Sequence, residues 1–168
     1  MYRATLASAL AAVAALALFT LLTFGLAGCA PSSEKSATST DMRTEVRTLL
    51  ENYVEAVNRA DSAGVMSAFA PDTHVTLAGR GLLLQGREAI ERTTGGESLM
   101  NPGQNQYDID SLVVIPIERS HALALVEFSV DPSDQDIPTF QTTATYVLQK
   151  TRDKWQIIHV HVCPAREQ

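Results

Sequence analysis

Two histidines, His159 and His161, stand two residues apart in the last apolar segment of the chain. Imidazole nitrogens are common zinc ligands, so the pair raises the question of a metal site. Such a site needs a third ligand, and no cysteine or carboxylate motif supplies one nearby. The alternative is structural, because residues two apart on a strand share one face of a sheet. The sequence therefore predicts no metal site, and it contains no cofactor motif.

One acidic residue, Glu127, interrupts an apolar segment that has the composition of a strand. Alternation puts it on one face with Leu123 and Leu125, opposite Val126 and Phe128. Both faces are partly apolar, so alternation alone does not orient Glu127. If buried and unpaired, its carboxyl has a raised pKa and becomes a candidate general acid or base, or the partner of a cationic ligand. Otherwise it is exposed, or satisfied by the hydroxyl of a tyrosine or threonine.

The chain begins with the pattern of an export signal. Arg3 supplies a positive charge, and residues 4–28 contain no charged residue. The stretch ends in Leu26-Ala27-Gly28-Cys29, which resembles the lipobox of bacterial lipoproteins. The resemblance implies cleavage of residues 1–28, lipid and palmitate attachment at Cys29, and contact with a membrane through that lipid. An uncleaved anchor is the alternative, because about 20 apolar residues span a bilayer.

Both explanations of this segment place the remaining chain in the bacterial cell envelope, outside the cytoplasm. Lipidation of Cys29 leaves Cys163 without a disulfide partner, so we expect Cys163 to be a small, partly buried residue. The chain has 13 basic and 19 acidic residues. Removal of residues 1–28, whose only charge is Arg3, leaves 12 basic residues and a net charge of −7. Such an acidic domain repels phosphate backbones, so we expect no nucleic-acid partner.

The domain organisation follows from composition and periodicity. Residues 29–41 lack large apolar side chains and predict a flexible tether, the folded domain covers residues 42–163, and 164–168 form a tail. Apolar residues then recur with helical spacing from Asp41, a plausible cap, onward: Val46, Leu49, Leu50, Tyr53, Val54 and Val57. Shorter elements follow: a helix at 62–69 capped by Asp61, strands at 74–77 and 82–85, and a helix at 86–92 that Gly95-Gly96 ends.

The second half is rich in β-branched and aromatic residues and predicts four longer strands. Short turns separate them, so the sheet should be mostly antiparallel. We expect them at Tyr107 to Ile117, Ala122 to Val130, Thr139 to Lys150 and Trp155 to Cys163. Helices followed by a meander of strands predict an α+β domain with its helices on one face of a sheet.

Three stretches resemble the nuclear transport factor 2-like superfamily, which includes SnoaL-like proteins and ketosteroid isomerases. They are the first helix with residues 58–61 and 66–72, the segment 84–90, and the ending 154–162, which looks most like the calcium/calmodulin-dependent kinase association domain. The resemblance implies a cone-shaped fold in which a curved sheet carries helices on its concave side. A pocket then lies between that side and the first helix, and the convex side commonly forms a homodimer.

Strand alternation and this resemblance together suggest the pocket residues. Tyr53 matches the isomerase tyrosine, and the kinase association domain places Glu127 inward. The same reasoning directs Gln141, Thr143 and Thr145, and then Ile158, Val160 and Val162, toward the pocket. It directs Trp155, Ile157, His159 and His161 to the convex side. The isomerase positions for a base and a second acid read Leu77 and Thr145, so that proton transfer is not expected.

Three functions remain open at this point. The first is a non-catalytic binding lipoprotein for a small apolar molecule, neutral or cationic. The second is an isomerase, dehydratase or hydrolase that uses Glu127. The third is an interaction module that works through the convex side of the sheet, as a homodimer or with another partner.

Overall fold

The structure is a computed structural model that describes residues 34–79, 81–94 and 104–163. The predicted signal at 1–28, the lipid site Cys29, the stop at Gly95-Gly96 and the tail at 164–168 lie outside the described residues. Lys35–Gln168 forms one compact unit. Its helices are α1 (Glu34–Asn58), α2 (Ser62–Ser67) and α3 (Arg87–Thr94), and its strands are β1 (Thr76–Gly79), β2 (Leu82–Gln85), β3 (Asn105–Glu118), β4 (His121–Pro132), β5 (Phe140–Thr151) and β6 (Lys154–Val162).

The six strands form one curved sheet in the order β2-β1-β6-β5-β4-β3. Only the β1–β6 pair is parallel, and every other neighbouring pair is antiparallel. The predicted α+β class and the mostly antiparallel sheet are therefore confirmed. The four long strands lie within one or two residues of their predicted bounds, because short turns and β-branched residues mark them clearly.

Helix α1 covers one face of the sheet with the predicted apolar stripe. Val46, Leu50, Tyr53 and Val57 are each at most 3% exposed. The helix begins at Glu34, however, and not at Asp41, so residues 34–41 are helical where a tether was predicted. Burial nucleates the helix from Met42 onward, and adding residues to an existing helix needs no new nucleus. The prediction considered burial alone and therefore placed the start too late.

Side chains of α1 fix the helix to two distant parts of the sheet. Asn58 accepts a hydrogen bond from the Tyr107 backbone N–H and donates one to its carbonyl, both at 2.9 Å. Glu45 accepts from Lys150 Nζ and from Trp155 Nε1, both at 2.7 Å. These contacts hold the C-terminal end of α1 against β3 and its middle against the β5–β6 hairpin.

Helix α2 begins at Ser62 and is capped by Asp61, as predicted. The Asp61 Oδ1 accepts a hydrogen bond from the Gly64 backbone N–H at 2.9 Å, which satisfies a donor that the helix leaves free. A Cβ at Gly64 would lie 2.5 Å from Asp61 Oδ2 and 2.9 Å from Ala56 Cβ, so a larger residue there would disturb this cap. The helix leads to Phe69, whose bridge to Ile157 attaches this segment to the sheet.

A bulge in β6 changes which side chains face α1. Val147 pairs with His159 and the next residue, Leu148, pairs with Ile157, so Ile158 has no partner across the ladder. The extra residue reverses the alternation at that point. Trp155 and Ile157 therefore share a face with Val160 and Val162, and all four are at most 5% exposed.

Candidate functional site

The sheet presents two unlike faces, which we call the helix-covered face and the open face. On the helix-covered face, one row of neighbours crosses all six strands, and it is entirely apolar except for one phenol: Leu84, Leu77, Val160, Tyr146, Ala124 and Val114. Helix α1 packs on this row through Tyr53, whose ring meets Tyr146 edge to face at a centroid distance of 6.0 Å. Tyr53 also meets Phe69 in this way, at 5.9 Å.

Three tyrosines converge in this interior, and we call Tyr53, Tyr107 and Tyr146 the tyrosine cluster. Burial raises the pKa of Tyr53 and of Tyr146, and the neighbouring phenols of the cluster raise both further. The phenols are therefore neutral at any ordinary pH and can donate hydrogen bonds. Tyr107 accepts one at its hydroxyl from Asn105 Nδ2, at 3.2 Å.

The Tyr146 hydroxyl is the exception to an otherwise satisfied interior. It is fully buried and has no hydrogen-bond partner among the described residues. A buried hydroxyl without a partner costs about 1–3 kcal/mol relative to a satisfied one. Because no other buried side-chain nitrogen or oxygen of the described residues is unpartnered, this atom marks the position where the interior has an unused donor.

The prediction that Gln141, Thr143 and Thr145 face the interior is wrong. Cross-strand pairing places these three residues on the open face, opposite Ala144, Tyr146 and Leu148. The larger apolar side chains take the helix-covered face, because burying them removes more apolar area from water. The sequence contained this signal, since Ala144, Tyr146 and Leu148 are more apolar than Gln141, Thr143 and Thr145. Tyr146 was therefore not predicted as an interior residue, and neither was Tyr107 on β3.

Glu127 is also on the open face, where it pairs with Thr143 and is exposed. The inward placement that the kinase association domain suggested is therefore wrong, and Glu127 cannot act as a buried base. Among the described residues, every buried side chain is apolar or is a tyrosine or tryptophan. Tyr53, Val160 and Val162 lie inside as predicted, whereas Ile158 is half-buried in the bulge.

Both histidines of the last strand lie on the open face, as predicted. His159 Nδ1 is 2.7 Å from Thr76 Oγ1, and His161 is exposed beside Thr145. Trp155 and Ile157, which were predicted to share this face, do not, because the bulge at Ile158 separates the two pairs. Within the described ranges, no three His, Cys, Asp or Glu residues are arranged to hold a metal ion.

Two smaller features complete the candidates. Cys163 is a free, half-buried thiol whose carbonyl accepts a hydrogen bond from Thr142 Oγ1. An open groove of about 580 Å³ lies between residues 71–73 and α3, and its charged lining mixes both signs, with Asp72, Glu88, Arg87 and Arg92. No described helix is long and apolar enough to cross a membrane.

Comparisons with known proteins agree on the fold. The sequence profile of the SnoaL-like domain matches residues 46–167. A search of curated proteins gives no match. Solved structures do match, among them a nuclear transport factor 2-like superfamily protein from Salmonella enterica. It is 15% identical with a TM-score of 0.64, over 77% of this chain and 94% of that one.

Two further solved structures carry functional names. One is a suspected dehydratase of the nuclear transport factor 2-like family from Streptomyces avermitilis, 18% identical with a TM-score of 0.65, over 77% of this chain and 99% of that one. The other is a suspected calcium/calmodulin-dependent protein kinase II association domain from Xanthomonas campestris. It is 21% identical with a TM-score of 0.61, over 74% and 88% of the two chains. At these identities the likeness shows the fold alone.

Proposed function

Since this chain belongs to the SnoaL-like domain family, whose members include ligand-binding proteins and enzymes, we propose that it binds a small apolar molecule between α1 and the sheet, beside Tyr146. The observation that carries the proposal is the Tyr146 hydroxyl, which is buried and has no hydrogen-bond partner among the described residues. A bound molecule with an acceptor atom would satisfy this donor and would be covered by the apolar row around it.

The chemistry of the interior defines the class of ligand. The walls are aliphatic and aromatic, and the neutral phenols of the tyrosine cluster are its hydrogen-bond donors. An apolar molecule with one carbonyl, ether or hydroxyl oxygen matches these groups. A cation does not, because no buried side chain among the described residues is acidic, and Glu127 lies on the open face. We therefore propose a neutral ligand.

Ligand binding is tested by thermal unfolding of the domain against a library of apolar ketones, ethers, alcohols, hydrocarbons and amines. We expect stabilisation by oxygen-bearing neutral compounds, and a loss of at least about 5-fold in affinity in Tyr146→Phe, since one hydrogen bond contributes about 1 kcal/mol. The matched control is Thr143→Val, three residues away on the open face of the same strand, which should bind normally. Stabilisation by no compound class, or equal binding by Tyr146→Phe, would overturn the proposal.

We also propose that the protein is a lipoprotein of the bacterial cell envelope, attached to a membrane through Cys29. The support is the sequence Leu26-Ala27-Gly28-Cys29 at the end of an uncharged segment. Feeding cells an alkyne-tagged palmitate should label the wild-type chain, and Cys29→Ser should remain unlabelled at the mass of the unprocessed chain. Equal labelling of both chains would contradict lipidation at this residue.

An interaction module is the second candidate function, and one observation favours it. The open face carries several exposed large apolar residues, including Leu83 (71%), Val113 (50%) and Leu125 (41%). Exposed apolar side chains that form one contiguous patch are typical of interaction sites. We propose that two copies of the chain associate through this face. Sedimentation of the domain tests this proposal. A domain that stays monomeric at a concentration of about 100 μM would contradict it.

A further inference from the structure

The centre of the open face is formed by the two histidines. One row of neighbours across the six strands reads Leu83, Ala78, His161, Thr145, Leu125 and Val113, and the adjacent row reads Gln85, Thr76, His159, Val147, Leu123 and Ile115. In both rows the histidine stands on β6, the third of six strands. No other residue of these rows is titratable, and the rest are apolar or uncharged.

Resting on the self-association proposed above, we propose that this face is a pH-controlled contact between two copies of the chain, which forms when His159 and His161 are neutral and opens when they are protonated. The occupant is a second copy because the two central rows present no fixed charge. Two such surfaces can therefore meet without burying an unpaired ion. The histidines are the only groups in the contact whose charge changes between pH 5 and pH 8.

The size of the two rows fits a weak contact. Strands lie about 4.8 Å apart and rise about 3.3 Å per residue, so two rows across six strands cover roughly 400 Å². A standard interface takes about 800 Å² from each partner, so a small change in charge can open this contact. The acidic residues Glu127, Asp110 and Asp108 follow on β4 and β3, and Glu127 lies two residues after Leu125. Like charges disfavour that part of the face in a self-contact, so the contact is confined to the two rows that carry the histidines.

The surroundings of the histidines do not compensate a positive charge. On this face β1 presents Thr76 and Ala78, and β5 presents Thr143, Thr145 and Val147. Beyond them, β2 presents Leu83 and Gln85 on this face, and the nearest carboxylate on the described strands is that of Glu127 on β4, two strands from β6. Among the described residues, the thiol of Cys163, just after β6, is a further titratable neighbour.

In the unassociated domain, the pKa of His159 already differs from the ordinary value in the direction that association requires. Partial burial lowers the pKa of His159, and the neighbouring His161 lowers it further. The Thr76 hydroxyl can donate to the neutral ring or accept from the charged ring, so this hydrogen bond accommodates both forms. A second copy removes the remaining water and brings two more imidazoles to the contact. A lowered pKa in the associated state means that association is strongest above the histidine pKa and is lost as the pH falls through it.

The test is sedimentation of a chain that starts at residue 30, with circular dichroism at each pH. Every buried core residue lies between Met42 and Val162, so this chain keeps the whole described core. Exclusion of the charged form of histidine from the contact weakens association as the pH falls. We therefore expect the dissociation constant to be at least about tenfold higher at pH 5.5 than at pH 7.5, with unchanged secondary structure.

Variants separate the histidines from the rest of the face. His159→Gln with His161→Gln should associate at both pH values, with less than about a 3-fold change between them, and the single variant His161→Gln serves if the double variant does not fold. The control is His74→Gln with His121→Gln, which lie outside the two rows and should retain the full pH dependence. Leu125→Asp should remove association at every pH without a loss of helix or strand signal.

Two results would overturn the inference, and they are distinguishable. A wild-type dimer whose dissociation constant is the same at pH 7.5 and pH 5.5 refutes the histidine control but leaves self-association intact. A wild-type monomer at both pH values refutes self-association itself. Neither result affects ligand binding beside Tyr146, which is on the other face of the sheet.

Discussion

The helix-covered face and the open face share the same six strands, yet they differ in almost every physical respect. On β5, Ala144, Tyr146 and Leu148 are at most 2% exposed, while Thr143, which directly precedes Ala144, is exposed. The first face is covered by α1 and holds the tyrosine cluster. The second face holds the histidines and the exposed aliphatic residues. The ligand binding and the self-association that we propose would therefore draw on separate sets of side chains, so a substitution could change one without the other.

The bulge at Ile158 keeps the two faces distinct along β6, and its removal should have the largest effect. Deletion of Ile158 would shift one half of β6 by one residue relative to β5. Either Val160 and Val162, or Trp155 and Ile157, would then point to the open face. We expect a loss of more than about 4 kcal/mol and no cooperative unfolding transition, because two large apolar side chains leave the core.

A deletion of equal size in a loop is the control. Removing Gln135 from the exposed β4–β5 connection should cost little, since connections tolerate changes in length. If the Ile158 deletion unfolds cooperatively near the wild-type midpoint, the bulge does not determine which side chains of β6 face α1.

Truncating a side chain on the helix-covered face should lower the free energy of unfolding far more than truncating one on the open face. Phe128 is fully buried, and Phe128→Ala should destabilise the domain by about 3–5 kcal/mol. Leu125, on the same strand and 41% exposed, should lose less than about 1 kcal/mol in Leu125→Ala when measured on the monomer. Urea unfolding at low protein concentration measures both, and similar losses would contradict the assignment of the faces.

The contact of α1 with the β5–β6 hairpin makes a smaller, pH-dependent contribution to the free energy of unfolding. Hydrogen bonds from Lys150 and then Trp155 lower the pKa of Glu45 below its ordinary value of 4.5. This contribution is complete above the ordinary carboxyl pKa and is lost as the pH falls through the lowered value. Glu45→Gln should cost about 1 kcal/mol at pH 7, because the Glu45 side chain is 45% exposed and solvent screens the ion pair.

The pH profile is the decisive measurement for Glu45. The stability difference between wild type and Glu45→Gln should shrink as the pH falls through the lowered pKa of the wild-type carboxyl, where it takes up its proton. Glu51→Gln, on the exposed side of the same helix, is the control and should show a smaller difference at pH 7. A difference for Glu45→Gln that is constant from pH 7 to pH 3 would exclude the ionic contribution.

The smallest predicted change in the free energy of unfolding is a gain and not a loss. Tyr146→Phe removes the hydroxyl that has no partner in the described structure, and we expect the ligand-free domain to gain up to about 1 kcal/mol. Tyr107→Phe removes a hydroxyl that accepts from Asn105, and it should be neutral or slightly destabilising. Thermal unfolding of both variants without ligand measures the contrast, and a clear loss in Tyr146→Phe would reveal a partner for that hydroxyl.

Sequence reasoning predicted the elements better than their orientation. The stripe on α1, the cap at Asp61 and the four long strands follow from local spacing, so they could be predicted from short windows. The orientation of β4 could not be fixed from the apolar pattern, because Leu123 and Leu125 are about as apolar as Val126 and Phe128. On β5 the more apolar set did mark the interior, and the family resemblance pointed the other way. The bulge at Ile158 depends on pairing with β5, which no local pattern reveals.

The contacts of α1 with β3 have a consequence for how the sheet can grow. Arg43 and Arg47 donate to the Val114 and Leu112 carbonyls, and Asn58 takes both backbone groups of Tyr107. The outermost long strand therefore offers few free backbone groups to an incoming strand, and the other edge is β2, with four residues. Fibre-like extension by strand addition is suppressed at both edges. The face-to-face contact that we propose would therefore close into a discrete pair and would not extend into a fibre.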